Sequence, residues 1–449
     1  MAVPTVLGEL GLSILGLAAE YPPFSLKPDA IDTLAKRYHP DSPAMRKIIA
    51  INRYTGIDTR SSIGDPEHPV VNQAAPPSIT DLHKVFMSDG VPLAIRASRK
   101  ALAEARVDSS QVTHVVSTTC TDSANPGYDH YVAKELGLGQ GVEKVLLHGT
   151  GCSGGLAALR TAANLCLGHT MRGKPARILV LALEVSTTMV RSELESIHAL
   201  QETRIGIALF SDCASAVVLS NGLGDEKEPV YQLLGWEHRI IPDTEGDLGF
   251  DVDPVGWKVV LSPRVPKLTQ SVLAPSYAAL IDSLPLLPAG YRAPADFDWA
   301  MHPGGATILT GAEKAMGITP EHMRASYDTY INHGNSSSAT IFSVLDRLRS
   351  KDMDALAPEG RVRDFIVGCA FGPGISVEMC MLKRNMTVGR AALSSSISGL
   401  QTPPETESEA SSVPSEDAFE TLGSSSTRRL ETGEQEAFIS EAMDSVELD

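Results

Sequence analysis

Twice in this chain a short apolar run opens directly into a glycine turn that carries one chemically capable side chain. Val145-Leu146-Leu147 passes through Gly149 and Gly151 to Cys152 and on to Gly154-Gly155, after which Leu156 to Leu167 has the apolar spacing of a helix. Trp299-Ala300-Met301 opens in the same way into His302-Pro303-Gly304-Gly305. A strand that turns sharply into a helix needs glycine where the backbone approaches closely or adopts positive φ. This pattern predicts buried strands and a layered α/β fold.

Further apolar runs at Thr113–Thr119, Arg177–Leu183 and Ala214–Leu219 alternate with helix-like stretches, as buried strands in such folds do. In the second half Phe365–Cys369 followed by Ile375–Leu382 reads as a closing hairpin, and Trp299–His302 echoes the strand before Cys152. The chain therefore divides into a half at 1–222 that carries the cysteine, a half at 223–385 that carries the histidine, and a tail at 386–449.

The tail sets the charge balance. Of the net −17, residues 386–449 carry −10, from 13 acidic residues and 3 arginines, leaving −7 for the rest. Its Ser, Thr, Glu and Pro content predicts disorder, with a short amphipathic stretch at Glu434–Val446 as a candidate partner motif. The acidic balance argues against nucleic acid as a partner. Six cysteines without a CxxC pair or a His/Cys cluster at zinc spacing predict neither a disulfide framework nor a metal site. With no signal-peptide pattern and no apolar run of about 20 residues, the expected location is the cytoplasm, without integral membrane association.

A cysteine at a helix N-terminus beside an imidazolium is a nucleophile, because both stabilise the thiolate that attacks. His302 stands in the surroundings that fit such a partner. Asn335, in His333-Gly334-Asn335-Ser336-Ser337 ahead of the apolar stretch Thr340–Leu348, offers an amide that donates hydrogen bonds without carrying charge. Cys152, His302 and Asn335 are the candidate catalytic residues.

The cysteine turn, the His302-Pro303-Gly304-Gly305 turn, the Gly334-Asn335-Ser336-Ser337 turn and Ala370-Phe371-Gly372-Pro373-Gly374, similar to a GFGPG loop, stand in the order found in the type III polyketide synthases, which the chain resembles over residues 8 to 383. The run from Tyr38 to Arg60 looks most like fungal members that make alkylpyrones and alkylresorcinols. The resemblance implies a thiolase-like fold with duplicated αβαβα layers and a homodimer. It implies an acyl-CoA starter of medium to long chain loaded on Cys152, iterative decarboxylative condensation with malonyl-CoA, and release of a cyclised product, with no cofactor and no metal.

The same resemblance places Phe210 at the junction of the CoA tunnel and the cavity, and Val259 where plant members carry a second gating phenylalanine. Thr119, Met189, Phe250 and Ser337 fall on cavity-lining positions. Backbone N–H groups at Cys152 and near Gly374 are expected to form an oxyanion hole, and Lys47 and Arg53 to meet CoA phosphates. Two other readings stay open at this point: a ketoacyl-synthase-like enzyme that extends once, and a catalytically silent scaffold that docks through its acidic tail.

Overall fold

Nine strands form one mixed sheet in the computed structural model, which describes residues 10–388 apart from 225–226, 254–255 and 285–286. Residues 389–449, with the Glu434–Val446 segment and all but the first three residues of the expected disordered tail, lie outside the described residues. In spatial order the strands are Asp298–Met301, Phe365–Gly372, Ser376–Arg384, Tyr231–Ile240, Leu12–Glu20, Asp212–Ser220, Arg177–Val185, His114–Thr118 and Glu143–Leu147.

This order contains a repeat. From His114–Thr118 the sheet runs to Arg177–Val185 in parallel, then to Asp212–Ser220 and Leu12–Glu20, both antiparallel. From Asp298–Met301 it runs to Phe365–Gly372 in parallel, then to Ser376–Arg384 and Tyr231–Ile240, both antiparallel. The two sets meet edge to edge where Leu12–Ile14 pairs with Tyr231–Leu233. By sheet position, then, the strand before His302 corresponds to His114–Thr118 and not, as its sequence suggests, to the strand before Cys152.

Side chains alternate across each strand, and the alternation sorts them into three cores. Leu179, Leu181 and Leu183 face one way, onto the Val91–Ala105 helix, with Ala94, Ala97 and Ala101. Ile178, Val180 and Ala182 face the other way, where Leu156, Leu159, Ile341 and Val344 of the Gly154–Met171 and Thr340–Leu348 helices also meet Ile366 and Leu382. Val367, Met379 and Met381 face onward to Leu273, Leu280 and Leu309 of the Val265–Asp282 and Ala306–Met316 helices. Helix, first set of strands, shared helices, second set of strands and helix make the five-layered αβαβα arrangement of a thiolase-like fold.

One strand departs from expectation. Glu143–Leu147 is an edge strand, paired only with His114–Thr118, and Val145 is 38% exposed in the single chain. An apolar run reads as buried in sequence whether a fold or a second molecule covers it.

Candidate active site

Cys152 lies in a tight turn, Gly151–Ser153, that feeds the Gly154–Met171 helix, and Asn335 lies in the turn that feeds Thr340–Leu348. These two helices share the central layer, so the two turns converge. Gly151 has φ of +46°, and a Cβ there would meet Pro373 at 2.6 Å. The Ala370–Gly374 loop is thereby packed onto the cysteine turn.

The Ser337 hydroxyl sits 3.3 Å from the Cys152 Sγ and 3.4 Å from the Cys120 Sγ. Ser337 itself takes φ of +46°, and its N–H donates to the Asn335 Oδ1 at 2.8 Å. The Asn335 amide nitrogen donates to the Gly304 carbonyl at 3.3 Å, which ties it to the histidine turn. The backbone of Asn335 is held at both ends, its N–H donating to Leu209 at 3.0 Å and its carbonyl accepting from Ser211 at 2.9 Å. Phe210, between those two, is set beside Asn335 by that bridge.

His302 follows the Asp298–Met301 strand, with its own N–H donating to Cys369 at 2.8 Å. It is 2% exposed, and neither ring nitrogen has a hydrogen-bond partner. Burial holds its imidazole down to about 3. Burial likewise pushes the Cys152 thiol up to about 12, opposed by hydrogen bonding from Ser337 and Asn335 that favours the thiolate. Burial by itself thus keeps both groups neutral, against the thiolate and imidazolium expected from sequence.

A buried carboxylate that the sequence did not single out organises the wall behind Cys152. Glu184 accepts from the Cys120 N–H at 3.1 Å and from the Thr121 hydroxyl at 3.1 Å, from the Cys120 Sγ at 3.3 Å, and from the Ser338 hydroxyl. Thr119 is buried there, 3.4 Å from Glu184 and 3.3 Å from Thr121. Cys120 lies two residues past the end of the His114–Thr118 strand, the counterpart of the strand that His302 directly follows. Its neighbour Thr119 was the only hint in the sequence.

Met189, Phe210 and Val259 line one cleft, together with Ile31, Leu34, Val71, Ser186, Glu193, Gly206 and Ile207. Burial raises the Glu193 carboxyl to about 7. Phe250 pairs with Val259 across a separate two-stranded ribbon, Leu248–Asp253 with Gly256–Leu261, and its ring lies 5.9 Å from that of Phe210.

Gly374, at φ +57°, turns the chain as its loop requires, and its own N–H donates to Leu248 at 2.9 Å, which leaves the N–H groups beside it for an oxyanion. Lys47 and Arg53 share the Pro43–Tyr54 helix, where Arg53 is ion-paired with Asp32 while its side chain stays 57% exposed. Among the described residues no group of three or more His, Cys, Asp or Glu side chains is placed to hold a metal ion, and no helix is long and apolar enough to cross a membrane.

Comparison with known proteins agrees with this geometry. Residues 47–222 match the N-terminal domain of the chalcone and stilbene synthases and residues 232–386 their C-terminal domain. The type III polyketide synthase pspB of Penicillium soppii is 40% identical over 392 residues, 83% of this chain and 96% of that protein. The acylalkylpyrone synthase csyB of Aspergillus oryzae is 37% identical over 378 residues, 83% of this chain and 94% of that one. The structure of a type III pentaketide synthase from Neurospora crassa is 77% identical, with a TM-score of 0.83, covering 84% of this chain and 100% of that one. A structure of CsyB complexed with CoA-SH matches at 37% identity and a TM-score of 0.80, over 83% of this chain and 100% of that one. With both domains matched and relatives aligned over nearly their whole length, this chain belongs to the chalcone and stilbene synthase family, as a type III polyketide synthase.

Proposed function

We propose that the chain loads a medium- to long-chain fatty acyl-CoA on Cys152, extends it iteratively with malonyl-CoA, and releases alkylpyrone or alkylresorcinol products. The observation that carries this reading is the Ser337 hydroxyl 3.3 Å from the Cys152 Sγ, in the turn that Asn335 organises, with Phe210 bridged to Asn335 and lining a largely apolar cleft. Each methylene buried in such a cleft contributes roughly 0.8 kcal/mol, which favours an alkyl starter. The CoA-SH bound by CsyB supports CoA thioesters as the substrates here.

The residues divide the chemistry as follows. His302 takes the Cys152 proton as the sulfur attacks the thioester carbonyl, and the CoA sulfur leaves with that proton. Their mutual attraction in the charged state offsets the burial that keeps each neutral. Malonyl-CoA then loses CO₂, and the electron pair left behind becomes an enolate whose oxygen accepts hydrogen bonds from the Asn335 amide and from His302. The enolate carbon attacks the acyl carbonyl, the bond to Cys152 breaks, and the lengthened chain is held as a CoA thioester for return to the cysteine. The chemistry uses CoA thioesters as substrates and calls for no further cofactor.

The two halves, 1–222 and 223–385, contribute the nucleophile and its partners respectively. The exposed apolar edge at Val145, with Tyr131 also 38% exposed, supports a homodimer in which a second copy covers it. We place the enzyme in the cytoplasm, where its CoA thioesters are found, and take Lys47 and Arg53 as contacts for their phosphates.

Incubation with malonyl-CoA and acyl-CoA starters from C2 to C18, read by mass spectrometry beside Cys152→Ala, tests the reading. Pyrones or resorcinols bearing the starter's alkyl chain, absent with Cys152→Ala, are the expected result. A single condensation product, or no product and no acylated Cys152 with any starter, would overturn it.

A further inference from the structure

The ribbon that carries Phe250 and Val259 is not part of the main sheet, and among the described residues no further strand pairs with it. Two buried side chains take the place of such a strand at one residue. The Val259 N–H donates to the Glu193 Oε1 at 3.2 Å, and the Val259 carbonyl accepts from the Arg204 Nη1 at 3.3 Å. Glu193 comes from the Val190–Leu200 helix and is 2% exposed; Arg204, in the segment that follows, is 5% exposed. Arg204 is anchored in turn by the Ser196 hydroxyl at 3.0 Å and by Glu202 at 3.2 Å. A Cβ on Gly206 would meet the Val259 side chain at 2.8 Å, so the ribbon is also pressed close against the turn that leads to Phe210.

We propose that Glu193 and Arg204 are positioning residues for starter selection: gripping both backbone groups of Val259, they hold the ribbon as the wall of the cleft and so limit the acyl chain that the cleft takes. The inference rests on the reading of this cleft as the acyl site. A two-stranded ribbon by itself is marginally stable, and burying a backbone N–H and C=O without partners is unfavourable. Removing either side chain therefore frees the wall outward rather than leaving it in place. Glu193 also lines the cleft whereas Arg204 does not, so Arg204→Met separates the grip on Val259 from a direct change in the cleft wall.

The test measures kcat/KM for C6 to C18 acyl-CoA starters in wild type, Glu193→Ala, Glu193→Gln and Arg204→Met, with the rate of Cys152 alkylation by iodoacetamide as the check on an intact nucleophile turn. In Glu193→Ala and Arg204→Met, the ratio of kcat/KM for the longest starter to that for the shortest is expected to rise at least tenfold, with alkylation within threefold of wild type. Glu193→Gln keeps an acceptor oxygen for Val259 and is expected to restore the ratio to within threefold of wild type. An unchanged or lowered ratio in the variant that folds, or a Glu193→Gln enzyme that behaves like Glu193→Ala, overturns the clamp. Should Glu193→Ala fail to fold, Arg204→Met and Glu193→Gln decide the matter between them. A wild-type enzyme that turns over no alkyl starter would refute the function proposed above, whereas a wild-type length preference indifferent to these substitutions refutes only the clamp.

Discussion

Gly155→Ala offers a sharp test of how the two halves hold the site together. Gly155 lies in the first turn of the Gly154–Met171 helix, and an added Cβ would stand 2.5 Å from the Ser338 carbonyl oxygen and 2.7 Å from the Ile341 Cγ2. Ser338 is backbone of the very turn that presents Asn335 and Ser337, so relief to ordinary contact requires that turn to move by about 1 Å. Overpacking of this kind costs about 1 to 3 kcal/mol, and the better helix propensity of alanine offsets about 1 kcal/mol of it. The net effect on stability is therefore small, on the order of a few degrees in Tm. Activity responds differently, because a misplacement of about 1 Å at a reacting centre can cost ~10²-fold. Polyketide formation is expected to fall by that factor, measured from an alkyl-CoA starter and malonyl-CoA, while Tm drops only slightly. Full turnover, or a loss no greater than the unfolded fraction at the assay temperature, would refute the argument.

Asn335→Ala removes an uncharged donor and should lower malonyl-CoA decarboxylation ~10² to 10³-fold, seen as CO₂ release without starter; a loss below tenfold would remove Asn335 from the enolate site. In His302→Gln the thiol has no imidazole to take its proton, and the burial that raises it acts without that partner. Since raising pH deprotonates the thiol, alkylation of Cys152 should then climb about tenfold per pH unit from pH 6 to 10, where wild type levels off earlier; superimposable profiles would contradict the pairing. Arg324→Met strips the partner from Asp298, an ion pair at 2.8 Å with side chains 0% and 1% exposed at the base of the strand that leads to His302. The loss should be about 3 to 5 kcal/mol, read from the urea midpoint, and a wild-type midpoint would show the pair to be dispensable.

Much of the frame could be read from residue spacing. The apolar period at Thr340–Leu348 predicts the helix that forms there, and the glycine turns at Cys152 and Asn335 do feed helices. These are local matters, settled within a few residues by φ, ψ and the face a side chain must bury. Val145 is the counterexample: its strand forms, but whether an apolar strand lies at the centre or the edge of a sheet depends on which strands pair with it, and period carries no record of that.

The sequence by itself determined the α/β class, the turns and the residue types brought to the site. The tertiary structure alone decided who meets whom. Ser337 reaches Cys152 across 185 residues because the helices behind both turns share one apolar layer between the two sets of strands. The same repeat makes the strand before Cys120 the counterpart of the one before His302, a correspondence that sheet order reveals and spacing conceals. The Gly374 N–H goes to Leu248, and Val259 is gripped by Glu193 and Arg204, for a like reason. Hydrogen bonds between distant segments are chosen by how layers pack, since a buried polar group takes whichever partner the packing leaves within reach.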